Sequence, residues 1–239
     1  MSKYYTDCIE RLPFAILVEI YQRHFPRFIA VLLVISIKLK NSLGIRPKAR
    51  SGSRWIPEFD WQPRENMPAC ALSRWAPQIE ELEDLGFSLC GYIKSDTIGQ
   101  KCEAYSYWID PHGVVVSQLC WQMHSSIEQT RRSMISYFPQ GREMITASLS
   151  PDESLLSTVL SPDYITCHCE PETTSIKQLY GIHNNHPEIA EAACLTKDAF
   201  LATYREHRIK FMNDVIENGF IRQLTQREVN QLAAVDQGL

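Results

Sequence analysis

The sequence predicts an α+β fold: an antiparallel meander of about six strands with helices packed on one face, preceded by an apolar N-terminal helix. Three observations lead there. Short β-branched and aromatic runs recur between Phe87 and Cys169, joined by turn-forming residues. A helical period with a cap at each end fills residues 196–219. Ten apolar or small residues, Phe28 to Ile37, follow one another without a charge.

The N-terminal element comes first. As a helix, ten residues rise about 15 Å, half of the roughly 30 Å hydrocarbon core of a bilayer. Extended backwards through "LPFAILVEI" to Leu12, the segment gains length but acquires Glu19, Arg23 and Arg27 near its middle. These stand four apart and share one helical face with Gln22, so a polar stripe results. Three central charges cost roughly 2.5–3.5 kcal/mol each, against roughly 0.3–0.6 returned by each of about fourteen apolar residues. The sum lies near zero. The alternatives to a span are a helix lying in the interface, two short pieces bent at Pro26, or a core element of the folded body. Lys38, Lys40, Arg46, Lys48, Arg50 and Arg54 follow with no acidic residue among them, which favours an anionic lipid surface on the cytoplasmic side. The expected membrane-contact residues are Phe28, Ile29, Val31, Leu32, Leu33, Val34, Ile35, Ile37, Lys38 and Lys40. A cleavable secretory signal fits poorly, because the positive charge follows the apolar run and no small-x-small site succeeds it.

Residues 41–72 are rich in Pro, Ser, Gly and Arg and lack a period, so they read as a linker that becomes ordered near Trp55 to Trp61. The expected division is therefore an apolar membrane-associating segment (1–40), a basic linker (41–54) and an α+β domain (55–239). "SRWAPQIEELEDLG", starting at Ser73 as cap and stopping at Gly86, predicts a helix of about three turns. "FSLCGYIKS", "CEAYSYWI" and "VVVSQLCWQ" predict strands, the last two separated by the turn "DPHG" at 110–113. "SMISYF" and "EMITAS" flank "PQGR", where Gly141 supplies the positive φ of a tight hairpin. "YITCHC" is the sixth strand, after a loop "LSPDESLLSTVLSPD". The C-terminal third predicts one long helix capped by Thr196, with Phe200, Tyr204, Phe211 and Val215 on one face and Gly219 as its stop. A short helix follows from Thr225, with Glu228 completing a capping box.

Charge divides the chain unevenly. Residues 1–54 carry ten basic and three acidic side chains, whereas the rest carry fourteen and twenty-five. A basic head suits an anionic surface, and an acidic body argues against the body gripping nucleic acid. The eight cysteines are scattered, without a CxxC pair, which suits reduced thiols in a reducing compartment. Cys167 and Cys169, with His183 and His186, supply the ligand types of a zinc site. A strand would put both thiols on one face and His168 on the other, and the ordinary reading is two small core-facing thiols and two surface histidines near a helix C-terminus. A thiol nucleophile would draw on Cys120, Cys167 or Cys169 with His112, His168 or His183, and no spacing selects among them. No nucleophile elbow, metalloprotease helix, phosphate loop or dinucleotide fingerprint is present in the sequence, and no cofactor is expected.

Two resemblances accompany this reading. "LTQREVNQLAAVDQG", residues 224–238, resembles the first helix of a LuxR-type helix-turn-helix; base reading would need a second helix, and none follows before Leu239. "VIENGFIRQLT" just before it is similar to the helix-to-wing passage of winged-helix proteins. The apolar head, the basic linker, "LGFSLCGYI" and the "PQGREMITAS" hairpin together resemble uncharacterised bacterial proteins with an N-terminal membrane anchor, over roughly residues 12–150. That resemblance implies an anchor and a sheet and no catalytic residue. The sequence thus leads to a membrane-tethered cytoplasmic domain acting as a non-catalytic interaction or regulatory module, contacting lipid through its head and a protein partner through its body. The alternatives are a thiol- or zinc-dependent hydrolase built on Cys167, Cys169, His183 and His186, and a DNA-binding regulator.

Overall fold

A computed structural model of the chain describes residues 3–54, 60–99, 101–124 and 127–236. In chain order the elements are β1 (Tyr4–Asp7), α1 (Phe14–Gln22), α2 (Arg27–Ser42), β2 (Gly52–Arg54), α3 (Ala69–Asp84), β3 (Ser88–Lys94), β4 (Thr97–Ile98), β5 (Lys101–Ile109), β6 (Val116–His124), β7 (Ile127–Phe138), β8 (Arg142–Leu149), α4 (Pro151–Leu160), β9 (Ile165–Pro171), α5 (Ile176–Asn184), α6 (Lys197–Glu217), β10 (Ile221–Gln223) and α7 (Gln226–Asp236). The α+β class stands. Two sheets form among the described residues, one ordered β3-β5-β6-β7-β8-β9 and one ordered β10-β1-β2-β4.

The larger sheet is mixed, where a purely antiparallel one was expected. Strands β3 to β8 run antiparallel, but β9 lies parallel to β8. The reason is α4, which occupies the stretch expected to be a loop. Ser150 accepts from the Glu153 backbone N–H at 3.4 Å while the Glu153 carboxylate accepts from the Ser150 N–H at 2.9 Å. This capping box starts a helix that carries the chain back to the beginning of β8, and only a parallel strand can follow such a crossover.

Helices cover both faces of this sheet, not one. Trp75 and Leu82 of α3 and Ile176 and Leu179 of α5 pack on Trp108, Leu119, Trp121 and Met134, one side of the period-two alternation. On the other side Phe200 of α6 packs among Tyr107, Ile109, Val116, Ile135 and Tyr137. Thr196 caps α6 as expected, accepting from Ala199 N–H at 3.2 Å. Helix α3 begins at Ala69 after Pro68, four residues ahead of Ser73, and runs through Pro77, because the fully buried Trp75 and Leu82 hold it in place.

No single apolar helix precedes the fold. Strand β1 comes first and sits between β2 and β10, so residues from the chain's first and last parts share a sheet. The apolar head is a hairpin of two helices, broken at Pro26, whose ring disfavours helical geometry at Phe25 and removes a donor. Residues 52–54 of the expected linker are β2, Trp61 packs on Phe200 and Tyr107, and Trp55, where the domain was expected to begin, lies outside the described residues.

The "DPHG" turn tests this packing. Gly113 has φ of 72°, and a Cβ there would stand 2.4 Å from the Leu195 carbonyl oxygen. Gly181, on α5, has no atom within 4 Å of such a Cβ. Urea denaturation should show Gly113→Ala destabilised by about 1–3 kcal/mol and Gly181→Ala stabilised by up to about 1 kcal/mol.

Candidate functional site

The sequence of α2 is apolar around most of its circumference, and its two sides meet different surroundings. Ala30 and Val34 are fully buried, Val34 against Leu12 and Leu17, with Leu156, Val159 and Leu160 of α4 packed on the same cluster. On the outer side Phe28, Leu32, Ile35 and Leu39 stand at i, i+4, i+7 and i+11, a single helical stripe. They are 68%, 62%, 48% and 58% exposed, and Leu43 and Ile45 beyond the helix end continue the patch at 67% and 55%. A contiguous apolar surface of this kind is uncommon on a protein that meets only water.

Of the expected contact residues, Phe28, Leu32 and Ile35 belong to the stripe, and Ile29, Val31, Leu33 and Ile37 are half-buried at its margins. Val34 and Lys38 are corrections. Val34 points into the core, and the Lys38 ammonium donates to the carbonyls of Glu10 (2.9 Å) and Leu12 (2.5 Å), closing the turn between β1 and α1. Lys40 is exposed beside the stripe, and Arg46, Lys48 and Arg50 are exposed just past it. Leu39, Leu43 and Ile45 were missed; the same spacing that marks Phe28, Leu32 and Ile35 reaches Leu39. From Ile20 to Arg54 the chain contains no acidic residue. Among the described residues no helix is long and apolar enough to cross a membrane.

The polar stripe read across residues 19–27 divides in the structure. Arg23 lies 3.6 Å from Glu19 and 3.1 Å from Asp152 of α4, so it fastens the hairpin to the body, while Arg27 starts α2 and is exposed.

The cysteine and histidine candidates do not converge. Cys167 and Cys169 lie on the face of β9 that meets α4, with sulfurs 3.9 Å apart and the Cys169 Sγ 3.1 Å from Ser157 Oγ. Burial pushes the Cys167 thiol up to about 12, and burial does the same to Cys120. Neither is a thiolate at neutral pH. His168 is on the opposite face, stacked on His186 with centroids 4.0 Å apart. Among the described residues no group of three or more His, Cys, Asp or Glu side chains is placed to hold a metal ion.

His183, expected at the surface, is completely buried. Ser136 Oγ donates to the Val114 carbonyl at 2.8 Å, so it accepts from His183 Nε2 at 3.0 Å, and Thr146 Oγ1 donates to Nδ1 at 2.8 Å. Both ring nitrogens are satisfied by a neutral imidazole. Burial, reinforced by the nearby His186 and His168, pushes its pKa down to about 3. The segment resembling a LuxR-type first helix forms α7, which packs Leu232 against Ile98 and Leu224 and keeps Glu228 paired with Arg222 at 2.6 Å.

Comparison with family models, curated proteins and solved structures finds no match for this chain.

The buried imidazole sets a pH dependence. Its folded pKa lies below the unfolded value near 6.5, so its contribution is complete above that pH and is lost as pH falls toward about 3. Between pH 7 and pH 5 this amounts to roughly 2 kcal/mol. His183→Gln should be less stable than the wild type at pH 7 but show a flatter decline to pH 5 in urea titrations. Parallel pH profiles would contradict the assignment.

Proposed function

We propose that this protein is a non-catalytic membrane-surface module: the outer face of α2 lies among the headgroups of an anionic leaflet, and the α+β body is held on the cytoplasmic side as an interaction or regulatory domain. The observation that carries the reading is the outward stripe of Phe28, Leu32, Ile35 and Leu39 beside four exposed basic residues, Lys40, Arg46, Lys48 and Arg50. Fully burying such a side chain is favourable by about 1.5–3 kcal/mol, so four roughly half-exposed ones contribute roughly 3–6 kcal/mol on entering the interface. Each Lys or Arg near an anionic surface adds about 1 kcal/mol. Together these suffice for reversible binding and fall far short of an integral span. The charge pattern favours lipid over a second copy of this chain, because between Ile20 and Arg54 no acidic residue is present to meet a second copy's basic cluster across this face.

Sedimentation with phosphatidylcholine vesicles, with and without phosphatidylglycerol, tests it. The protein should pellet with the anionic vesicles, lose binding as salt rises, and ignore the neutral ones. Leu32→Asp combined with Leu39→Asp should abolish pelleting while leaving the urea midpoint unchanged. Failure of the wild type to pellet, or a wild-type dimer that this pair of substitutions converts to monomer, would overturn the reading.

A further inference from the structure

Strand β9 is an outer strand of the large sheet, paired to β8 on one side, and among the described residues no strand pairs with its other side. One bond fixes where its backbone groups point. Glu143 N–H donates to the Tyr164 carbonyl at 2.9 Å, and in a parallel ladder the groups of alternate residues point the same way. Tyr164, Thr166, His168 and Glu170 therefore face β8, and Ile165, Cys167 and Cys169 face outward. The Ile165 N–H donates to the Pro162 carbonyl at 2.8 Å. The Ile165 carbonyl and the N–H and C=O of Cys167 and Cys169 have no hydrogen-bonded partner among the described residues. An edge of this kind is a template for another strand.

A groove of about 470 Å³ runs beside the end of this edge, walled by Glu170 and Pro171 of β9 and by Gln178, Gly181, Ile182 and Asn185 of α5. The four α5 residues stand at i, i+3, i+4 and i+7, one face of the helix. Ile176, Leu179 and His183 on the other face are fully buried, so α5 cannot turn to close the groove. Gly181 keeps it open. A glycine inside a helix costs roughly 0.5–1 kcal/mol relative to alanine, and here no packing demands it, because no atom lies within 4 Å of where its Cβ would stand. Just past the helix, His186 stacks on His168 and holds α5 against β9.

We propose that β9 and this groove take up an extended, basic peptide segment of a partner protein as an added strand, its backbone pairing with Cys167 and Cys169 and its alternate side chains falling between β9 and α5 over Gly181. The outward groups repeat every second residue, about 6.6 Å apart, and an extended backbone offers donors and acceptors at that repeat. Residues 161–176 contain Asp163, Glu170 and Glu172 but no Lys or Arg. Pairing β9 with the β9 of a second copy would set acidic strands together without a base from either, whereas a Lys or Arg on the peptide meets Glu170. The cations nearby are engaged or turned away: Arg132 donates to the Glu172 carbonyl at 2.7 Å, and Lys177 is exposed outside the groove lining. The proposal rests on the interaction-domain half of the membrane-surface reading and not on its lipid half.

A phage-displayed library of random dodecapeptides, panned on the full chain without lipid, supplies the probe. Enriched peptides should carry Lys or Arg, bind in the micromolar range by isothermal titration calorimetry, and protect the Cys167 and Cys169 amides from hydrogen exchange. N-methylation along the peptide should weaken binding by about tenfold or more at every second residue and little at those between, as backbone pairing requires. Gly181→Leu places a side chain in the open groove, so it should keep or raise the urea midpoint and weaken the peptide by about tenfold or more. The same variant should pellet with anionic vesicles as the wild type does, which separates this proposal's failure from that of lipid binding. No enriched peptide, an N-methyl scan without a period of two, binding unchanged in Gly181→Leu, or a wild-type dimer that Gly181→Leu converts to monomer would each overturn the proposal.

Discussion

A helix that is apolar on two sides needs two apolar neighbours, and the described residues of this chain supply α2 with one. Ala30 and Val34 are sealed against Leu12, Leu17 and α4, while Phe28, Leu32, Ile35 and Leu39 face outward. That imbalance is the constraint on which the functional account depends. It also separates two ideas that the amino-acid composition leaves joined, for a segment rich in Leu, Ile and Val can be membrane-seeking without being long enough to span. Pro26 limits α2 to sixteen residues, Arg27–Ser42, and Lys38 is spent on two backbone carbonyls, so the helix is pinned to the body along its length.

The remainder of the fold reads as the means of holding that helix. Strand β1 is clamped between β2 and β10, Cys8 N–H donates to the Phe220 carbonyl at 2.7 Å, and Arg23 ties the hairpin to Asp152 at the start of α4. The small sheet, the hairpin and α4 therefore act as one support, with α4 also bringing β9 into the large sheet. A helix presented in this way enters an interface without ordering anything first, which lowers the entropic cost of binding.

Local signals were readable and non-local ones were not. The turns "DPHG" and "PQGR", the Thr196 cap and the Thr225–Glu228 box are written in adjacent residues, and each appears in the structure where its chemistry places it. Helix α4 was legible through Ser150 and Glu153, but the surrounding Pro, Ser and Asp read as loop, and that error concealed the parallel strand. Strands β1, β2 and β10, three or four residues each, are too short to show a period and exist because they pair with one another. His183 at a helix C-terminus reads as a surface residue; its partners Ser136 and Thr146 are 47 and 37 residues away, and only the folded sheet brings them together. The α2 stripe was half visible: its spacing is in the sequence, but which side of an all-apolar helix faces out is decided by where α4 and Leu17 stand.

The orientation of that stripe is directly measurable. Single nitroxide labels placed in turn along residues 28–39, on protein bound to anionic vesicles, report depth through their relative exposure to oxygen and to a water-soluble nickel chelate. The account predicts a helical period with the deepest labels at 28, 32, 35 and 39 and with residues 30 and 34 shielded from both reagents by protein. Uniform aqueous exposure at the four outward positions would contradict it.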